Sequence, residues 1–507
     1  MKNMKNIYKF ILILFVGITL TNCTQLDADV SDFIPGDEYP ENADQAIRVA
    51  NPVFAKTKDL LDNGGWWFIQ VVSSDEAVAP TRGSDWDDGG KWRALHQHTW
   101  GATTEAVNQT WGLIYDAVPR ANRAIELLEV GAEASPEVAQ VLAQTIVSRA
   151  YYYFLAIDNF GDVPFPLTFT GVDEFPSRTP RAEVFNTIVQ QILDNVDLLP
   201  VPVPGISSSA INQGTAYALL AKLYLNAEVY TGTPMWQKAY DACEKVKSFG
   251  YSLESNPSLP FITNNSGSVE NIYTIPYDED KYRGFNFHMR TLHYLSQQTF
   301  DMSVAPWNGF AVLEATYNLF GSNDLRKYGL LVGQQKTVTG VDIIDEVAGA
   351  NLVFTPNIPA ILMPASDYSS AELRNSGVRI AKWEIKAGAR DNLSNDFAIF
   401  RYADIILMQA EALVRMNGRG AGDALVNQIK NRSNAQITGN YGLQDILDER
   451  SRELLWEGWR RNDLIRFGQF SKTWWEKNDN DINHNLLPVP QYAINANSNL
   501  LPQNPGY

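Results

Sequence analysis

Apolar residues recur along this chain mainly at helical spacing. Ala216, Leu219, Leu220, Leu223, Tyr224 and Ala227 stand at i, i+3, i+4, i+7, i+8 and i+11, positions that share one face of an α-helix. Similar patterns predict helices over 43–61, 105–130, 136–157, 180–199, 211–230 and 234–248, and again over 400–416, 422–433 and 443–459. Ser135-Pro136, Thr179-Pro180 and Thr233-Pro234 each offer a hydroxyl for an N-cap and a proline at the first helical position, where its missing N–H loses nothing. Amphipathic helices joined by short turns predict a mainly α fold of tetratricopeptide-like helix pairs, although no strict repeat of about 34 residues is present.

Three stretches break the helical period. Residues 73–100, SSDEAVAPTRGSDWDDGGKWRALHQHTW, are interrupted by Pro80, Gly83, Gly89 and Gly90 and predict a long irregular loop. From 250 to 397 short segments rich in Gly, Pro, Asn and Tyr predict an irregular, partly β insertion; in it Ala381, Trp383, Ile385 and Ala387 alternate with Lys382, Glu384 and Lys386 as a strand would. The end of the chain, LLPVPQYAINANSNLLPQNPGY, has too much Pro and Asn for a helix and predicts an extended tail packed on the helices. The organisation expected is an N-terminal helical part over 41–249 carrying the 73–100 loop, the insertion over 250–397, and a C-terminal helical part with its tail over 398–507. In the helix after residue 400, Arg401, Asp404, Glu411 and Arg415 fall on one narrow stripe, with opposite charges three and four apart, so that most of its circumference is expected to be buried and these residues to lock the fold.

The start of the chain changes the picture of where the protein acts. Basic residues precede an apolar run from Phe10 to Leu20, too short to span a bilayer comfortably, which predicts a signal peptide over 1–22. Leu20-Thr21-Asn22-Cys23 follows like a bacterial lipobox, with Asn22 where a small residue is usual, and makes Cys23 the expected lipidation site at the head of an acidic tether over 23–40. Removing the signal takes away Lys2, Lys5 and Lys9 and no acid, moving the formal charge from −17 to −20. That balance argues against nucleic acid, whose phosphates need a basic footprint. Cys243 is left as the sole cysteine after Cys23, at helical spacing with Met235, Ala239 and Val246, and is expected to be a buried structural thiol.

Candidate chemistry concentrates in the 73–100 loop. Trp86, Trp92 and Trp100 stand there among Asp75, Glu76, Arg82, Asp85, Asp87, Asp88, Lys91 and Arg93. Flat apolar faces beside paired hydrogen-bonding groups suit a polyhydroxylated ring, whose C–H face lies on an indole while Asp75 and Arg82 bind its hydroxyls. The insertion adds Tyr282, Phe285, Phe287, Tyr294 and Trp307 as a second aromatic source. Catalytic signatures are absent: there is no G-x-S-x-G and no H-E-x-x-H, and Gly90-Lys91 is followed by Trp92 rather than Ser or Thr. His96 and His98 lack further ligands at a zinc spacing, and Asp479, Asp481 and Asn483 open like a calcium loop but meet His484 and Pro490 where Gly and Glu are needed, so no metal or cofactor is expected.

The sequence resembles the SusD/RagB family of Bacteroidetes outer-membrane nutrient-binding lipoproteins. The resemblance runs through FRYADIILMQAEALVRM at 400–416, ERSRELLWEGWRRNDLIRF at 449–467, the ending from LLPVP to QNPGY, the lipobox-like Cys23 and the 73–100 block, and so covers nearly the whole chain. It implies four tetratricopeptide-like pairs, an insertion shaping the ligand face, and a partner, a SusC-like TonB-dependent transporter over which the protein sits as a lid. It also implies an aromatic arc to which Tyr294 and Trp307 contribute, and a protein that binds glycans without cleaving them. The expected function is capture of oligosaccharides or polysaccharides at the cell surface, by an outer-membrane lipoprotein, and delivery to that transporter. A peptide-binding lipoprotein of the same architecture and, further off, a glycoside hydrolase using two of the loop's carboxylates remain as alternatives.

Overall fold

The computed structural model describes residues 39–507 except 170–174, 207–208, 365 and 367–368. The expected signal peptide, Cys23 and nearly all of the tether lie outside the described residues. The helices of at least seven residues, numbered in chain order, begin with α1 (Ala43–Phe54), α2 (Trp66–Val72), α3 (Lys91–Gln97), α4 (Glu105–Ala132) and α5 (Pro136–Phe160). They continue with α6 (Arg181–Asn195), α7 (Gln213–Leu225) and α8 (Trp236–Ser248), and after the insertion with α9 (Tyr402–Asn417), α10 (Asp423–Arg432), α11 (Leu443–Leu454) and α12 (Arg460–Arg466).

The body is a succession of packed neighbours: α4 on α5, α5 on α6, α7 on α8, α8 on α9, and α9 on α10 and α11. α5 lies deepest, because every residue from Val147 to Phe160, including Tyr151, Tyr152 and Tyr153, is buried. It starts as expected, with Ser135 Oγ accepting from Val138 N–H at 3.3 Å and Pro136 next in line. The other two expected caps are not formed. Thr179 pairs with Val163 in a short ladder and Pro180 itself precedes α6, while the backbone around Thr233 turns on the Thr231 hydroxyl and α8 opens only at Trp236. Asn212 caps α7 instead, accepting from Thr215 N–H at 2.9 Å.

The insertion is built from two-residue ladders and one longer pairing, Asn271–Ile275 antiparallel to Phe397–Arg401, which carries the chain back into α9 at Tyr402. Residues 381–387 are not a strand beyond Ile380. Trp383 is drawn into a cluster with Phe261, Phe285, Phe287 and Phe397, and Lys382 turns inward to Glu457 and to the carbonyls of Glu453 and Leu455, so the alternation of residues has no partner strand behind it. The tail runs extended through 486–490 but then forms a short helix, Gln491–Ala496, and a 3-10 turn, Ser498–Leu500.

Buried ion pairs bind these parts together. Lys222 on α7 and Arg450 on α11 meet Asp404 on α9 at 2.6 and 2.8 Å; Arg450 also holds Asp463 on α12 at 2.8 Å, and Arg466 joins Asp463 to Glu411 at 2.8 Å each. Glu411 pairs with Arg415 as its spacing predicts, at 2.9 Å. Arg401 does not pair with Asp404: it ends the strand before α9 and faces Glu270, Glu453 and Glu457 at 2.7, 2.7 and 2.6 Å. Burial pushes the Asp404 carboxyl up, but Lys222 and Arg450 outweigh it and hold its pKa below the usual carboxylate range. Asp404→Ala therefore strands the buried Lys222 ammonium and takes one of its two partners from Arg450, and should lower stability by about 3 to 5 kcal/mol. Chemical denaturation checks this, and an unchanged midpoint would contradict the assignment.

Candidate functional site

The 73–100 segment is fixed at its base by the turn between α11 and α12. Asp75 forms a bidentate pair with Arg460 at 2.6 and 2.8 Å, and Glu76, 1% exposed, accepts from the backbone N–H of Trp456. Gly458 lets this turn close on α2, since a Cβ there would stand 3.2 Å from Trp66 Cζ3 and Trp67 Cδ1 and its φ is +82°. Ala77 and Val78 then pair antiparallel with Val312 and Ala311, and Thr81 and Arg82 run parallel with Leu362 and Met363. The loop of the sequence is thus held to the insertion by two short ladders.

Of the seven expected ligand-binding residues, four face the protein. Asp75 is taken by Arg460. Arg82, 1% exposed, donates to the carbonyls of Leu373 and Ser376 at 2.5 and 2.8 Å and to Ser376 Oγ at 3.1 Å, and burial lowers its pKa to about 10. Trp92, 1% exposed, donates from Nε1 to Asp88 at 2.7 Å with its ring among Phe68, Phe310 and Trp86. Trp100, 4% exposed, donates to the Tyr507 hydroxyl at 2.6 Å and clamps the chain's last residue. Arg82, Trp92 and Trp100 are too enclosed to offer a ligand a face, while the Asp75 carboxylate, partly exposed, is engaged by Arg460; large aromatics and arginines in a polar loop still bury themselves when core surface is within reach.

The other three meet at the surface. Trp86 sits at a turn with φ 59°, partly exposed, and its Nε1–H donates to the Trp307 carbonyl at 2.7 Å. Trp307 is 38% exposed. Tyr294, also partly exposed, donates its hydroxyl to Asp85, next to Trp86, and the Arg374 guanidinium lies 5.3 Å from its ring. The sequence reading passed over Arg290, whose guanidinium is 5.8 Å from the Trp307 ring and donates to Asn63 at 2.9 Å, and over Gly309, where a Cβ would stand 2.3 Å from Trp86 Cε2 and 2.6 Å from the Arg290 carbonyl. The doublet Asn308-Gly309 after Trp307, a turn signal, is what the sequence held of this. His96 and His98 turn inward, Nε2 of each donating to a backbone carbonyl at 2.7 Å, and burial lowers their pKa values to about 4 and about 2.

Two family models match this chain, one described as the SusD family over residues 236–507 and one as starch-binding associating with outer membrane over 42–225. The starch-binding protein SusD of Bacteroides thetaiotaomicron is 26% identical over 399 residues, 71% of each chain. Among solved structures, a laminarin binding SusD-like protein superposes with a TM-score of 0.73 at 21% identity, covering 92% of this chain and 100% of its own. Surface glycan-binding protein A from Bacteroides thetaiotaomicron, in complex with laminarihexaose, gives 0.70 at 19% identity over 90% and 99%.

Two outcomes test this geometry without a ligand. Gly309→Ala should displace the Trp86 ring, changing the near-ultraviolet circular dichroism while far-ultraviolet helix content holds; an unaltered aromatic spectrum would refute the close packing. Burial raises the Glu76 pKa from 4.5 to about 8, against the opposing Trp456 N–H and Arg460. A raised folded pKa means that its contribution is complete below pH 4.5 and falls away as pH rises to about 8. Glu76→Gln lacks this loss, so its melting temperature relative to the native protein should climb between pH 5 and 8 and then level off; a flat difference would place Glu76 outside the buried site.

Proposed function

This chain belongs to the SusD family, and we propose that it is a cell-surface glycan-binding lipoprotein, anchored through Cys23, which captures oligosaccharides or polysaccharides and delivers them to a SusC-like TonB-dependent transporter in the outer membrane. The observation that carries the reading is the pair of partly open tryptophans, Trp86 and Trp307, joined by the bond from the Trp86 indole N–H to the Trp307 backbone carbonyl and standing beside Tyr294. A sugar ring lying on these faces buries its C–H groups against them, while Asp85 and the Arg93–Asp87 pair, joined at 2.7 Å, offer hydroxyl partners at the rim. Asp75, Arg82, Trp92 and Trp100 act on the ligand through the loop they hold in place. The names of the starch-binding and laminarin-binding relatives point to the same ligand class.

Binding without cleavage fits the carboxylates nearest the base of the loop. Asp75 is held in a bidentate pair by Arg460 and Glu76 is sealed from solvent behind it, so neither is placed to reach a glycosidic bond as half of the carboxylate pair that hydrolysis needs. Trp307→Ala and Trp86→Ala should each weaken glycan binding by about 2 kcal/mol, roughly thirtyfold, with the fold intact. Trp92→Ala should instead destabilise the protein by about 3 to 5 kcal/mol, as loss of a core tryptophan does. Calorimetric titration against starch and laminarin oligosaccharides, with melting curves, separates the two effects. Undiminished affinity in Trp307→Ala, or reducing ends accumulating with the native protein, would overturn the reading.

A further inference from the structure

A second tryptophan surface lies outside the residues discussed so far. Trp475 lines a groove of about 310 Å³ together with Leu313, Glu314, Asn318, Asn357 and Ile358, none of which belongs to the Trp86–Trp307–Tyr294 group. Pockets that take small ligands fall in this size range. Trp475 is partly buried against the apolar cluster of Leu313 and Ile358 and partly open. Glu314, Asn318 and Asn357 are exposed, and among the described residues their side chains are not engaged by other residues. A carboxylate accepts and two amides both donate and accept, which is the set of partners that a ring of hydroxyls requires.

The turn that presents Trp475 is unusually well determined for a surface segment. Trp474 and Lys477 exchange backbone hydrogen bonds at 3.1 and 3.0 Å, and Glu476 between them has φ 51°, a conformation L-residues adopt only when the surroundings enforce it. Lys477 is fully buried, donating to the carbonyls of Phe470 and Lys472 at 3.0 and 2.9 Å with its ammonium 4.2 Å from the Trp474 ring. His96 on α3 then fixes the Trp475 carbonyl at 2.7 Å. A preorganised aromatic face loses little freedom when a ligand settles on it.

We propose that this groove is a second carbohydrate site, in which the Trp475 indole stacks on a sugar ring and Glu314, Asn318 and Asn357 bind its hydroxyls. No Lys or Arg lines it among the described residues, so the ring it takes is neutral rather than a uronate or a sulfated sugar. The proposal rests on the glycan-binding reading and adds a separate point of attachment for a long chain; two such points on one polysaccharide raise its apparent affinity beyond that of either alone.

The test is fluorine NMR of the full chain labelled with 5-fluorotryptophan, the Trp475 resonance being assigned with Trp475→Phe and the titrants being laminarihexaose, maltohexaose, laminarin and soluble starch. The expected result is a Trp475 shift that persists in Trp307→Ala, together with at least a tenfold loss of polysaccharide affinity in Trp475→Ala that hexasaccharide binding at Trp307 does not share. Movement of the Trp86 and Trp307 resonances with Trp475 stationary overturns the second site and leaves the glycan reading standing. No movement of any of these resonances overturns both.

Discussion

A guanidinium sealed from water has to find its counter-charges inside the protein, and Arg401 finds them on three separate segments. Its partners are Glu270 just ahead of the first long strand of the insertion, Glu453 on α11, and Glu457 in the turn that follows. Burial of an ion pair carries a desolvation cost that its attraction roughly repays, so such a group adds little over an apolar core of the same volume. Its effect is on register. With Arg401 in place, strand, helix and turn have one mutual arrangement in which no charge is left alone. Arg432 and Lys382 repeat the constraint, the first reaching Glu270 and Glu453 and the second Glu457.

The consequence reaches the surface through the turn that Glu457 occupies. That turn presents the Trp456 N–H to Glu76, stands just before Arg460, the partner of Asp75, and approaches Trp66 and Trp67 closely enough to require glycine at 458. Asp75 and Glu76 stand near the start of the 73–100 loop that carries Trp86. A chain of charged groups therefore runs from the core of the helical body to the base of the aromatic surface, and that surface inherits its position from residues far from it in sequence.

How much of this the sequence carried depends on how far apart the partners lie. The helices of the body were legible because their evidence is local: a 3.6-residue period, a serine and proline at the head of α5, opposite charges four apart at Glu411 and Arg415. Arg401 was misread for the same reason, since Asp404 was the acid in sight and the actual partners Glu453, Glu457 and Glu270 are 52, 56 and 131 residues away. The alternation at 381–387 failed similarly: a period of two describes a strand only if a partner is present, and Lys382 had a buried glutamate to reach. In the loop, composition marked an aromatic-rich segment and could not say which indoles face outward, because that depends on Phe310, Gly309 and Tyr507, which arrive from distant parts of the chain.

The residues misassigned in that loop share a physical role. Trp92 fills the space between Phe68 and Phe310 that would otherwise let Trp86 collapse inward, and Trp100 pins Tyr507. His96, on the same short helix as Trp92, is kept neutral by burial, and its Nε2–H is spent on the Trp475 carbonyl. Each gives its polar atom to a neighbour and its ring to the core. An indole is a useful sugar platform only if it stays flat and open in water, against a hydrophobic force that favours folding it away. Trp92 packs against Trp86 and occupies the space into which that exposed ring would otherwise turn, so part of the aromatic density of the loop supports an open aromatic surface rather than adding to it.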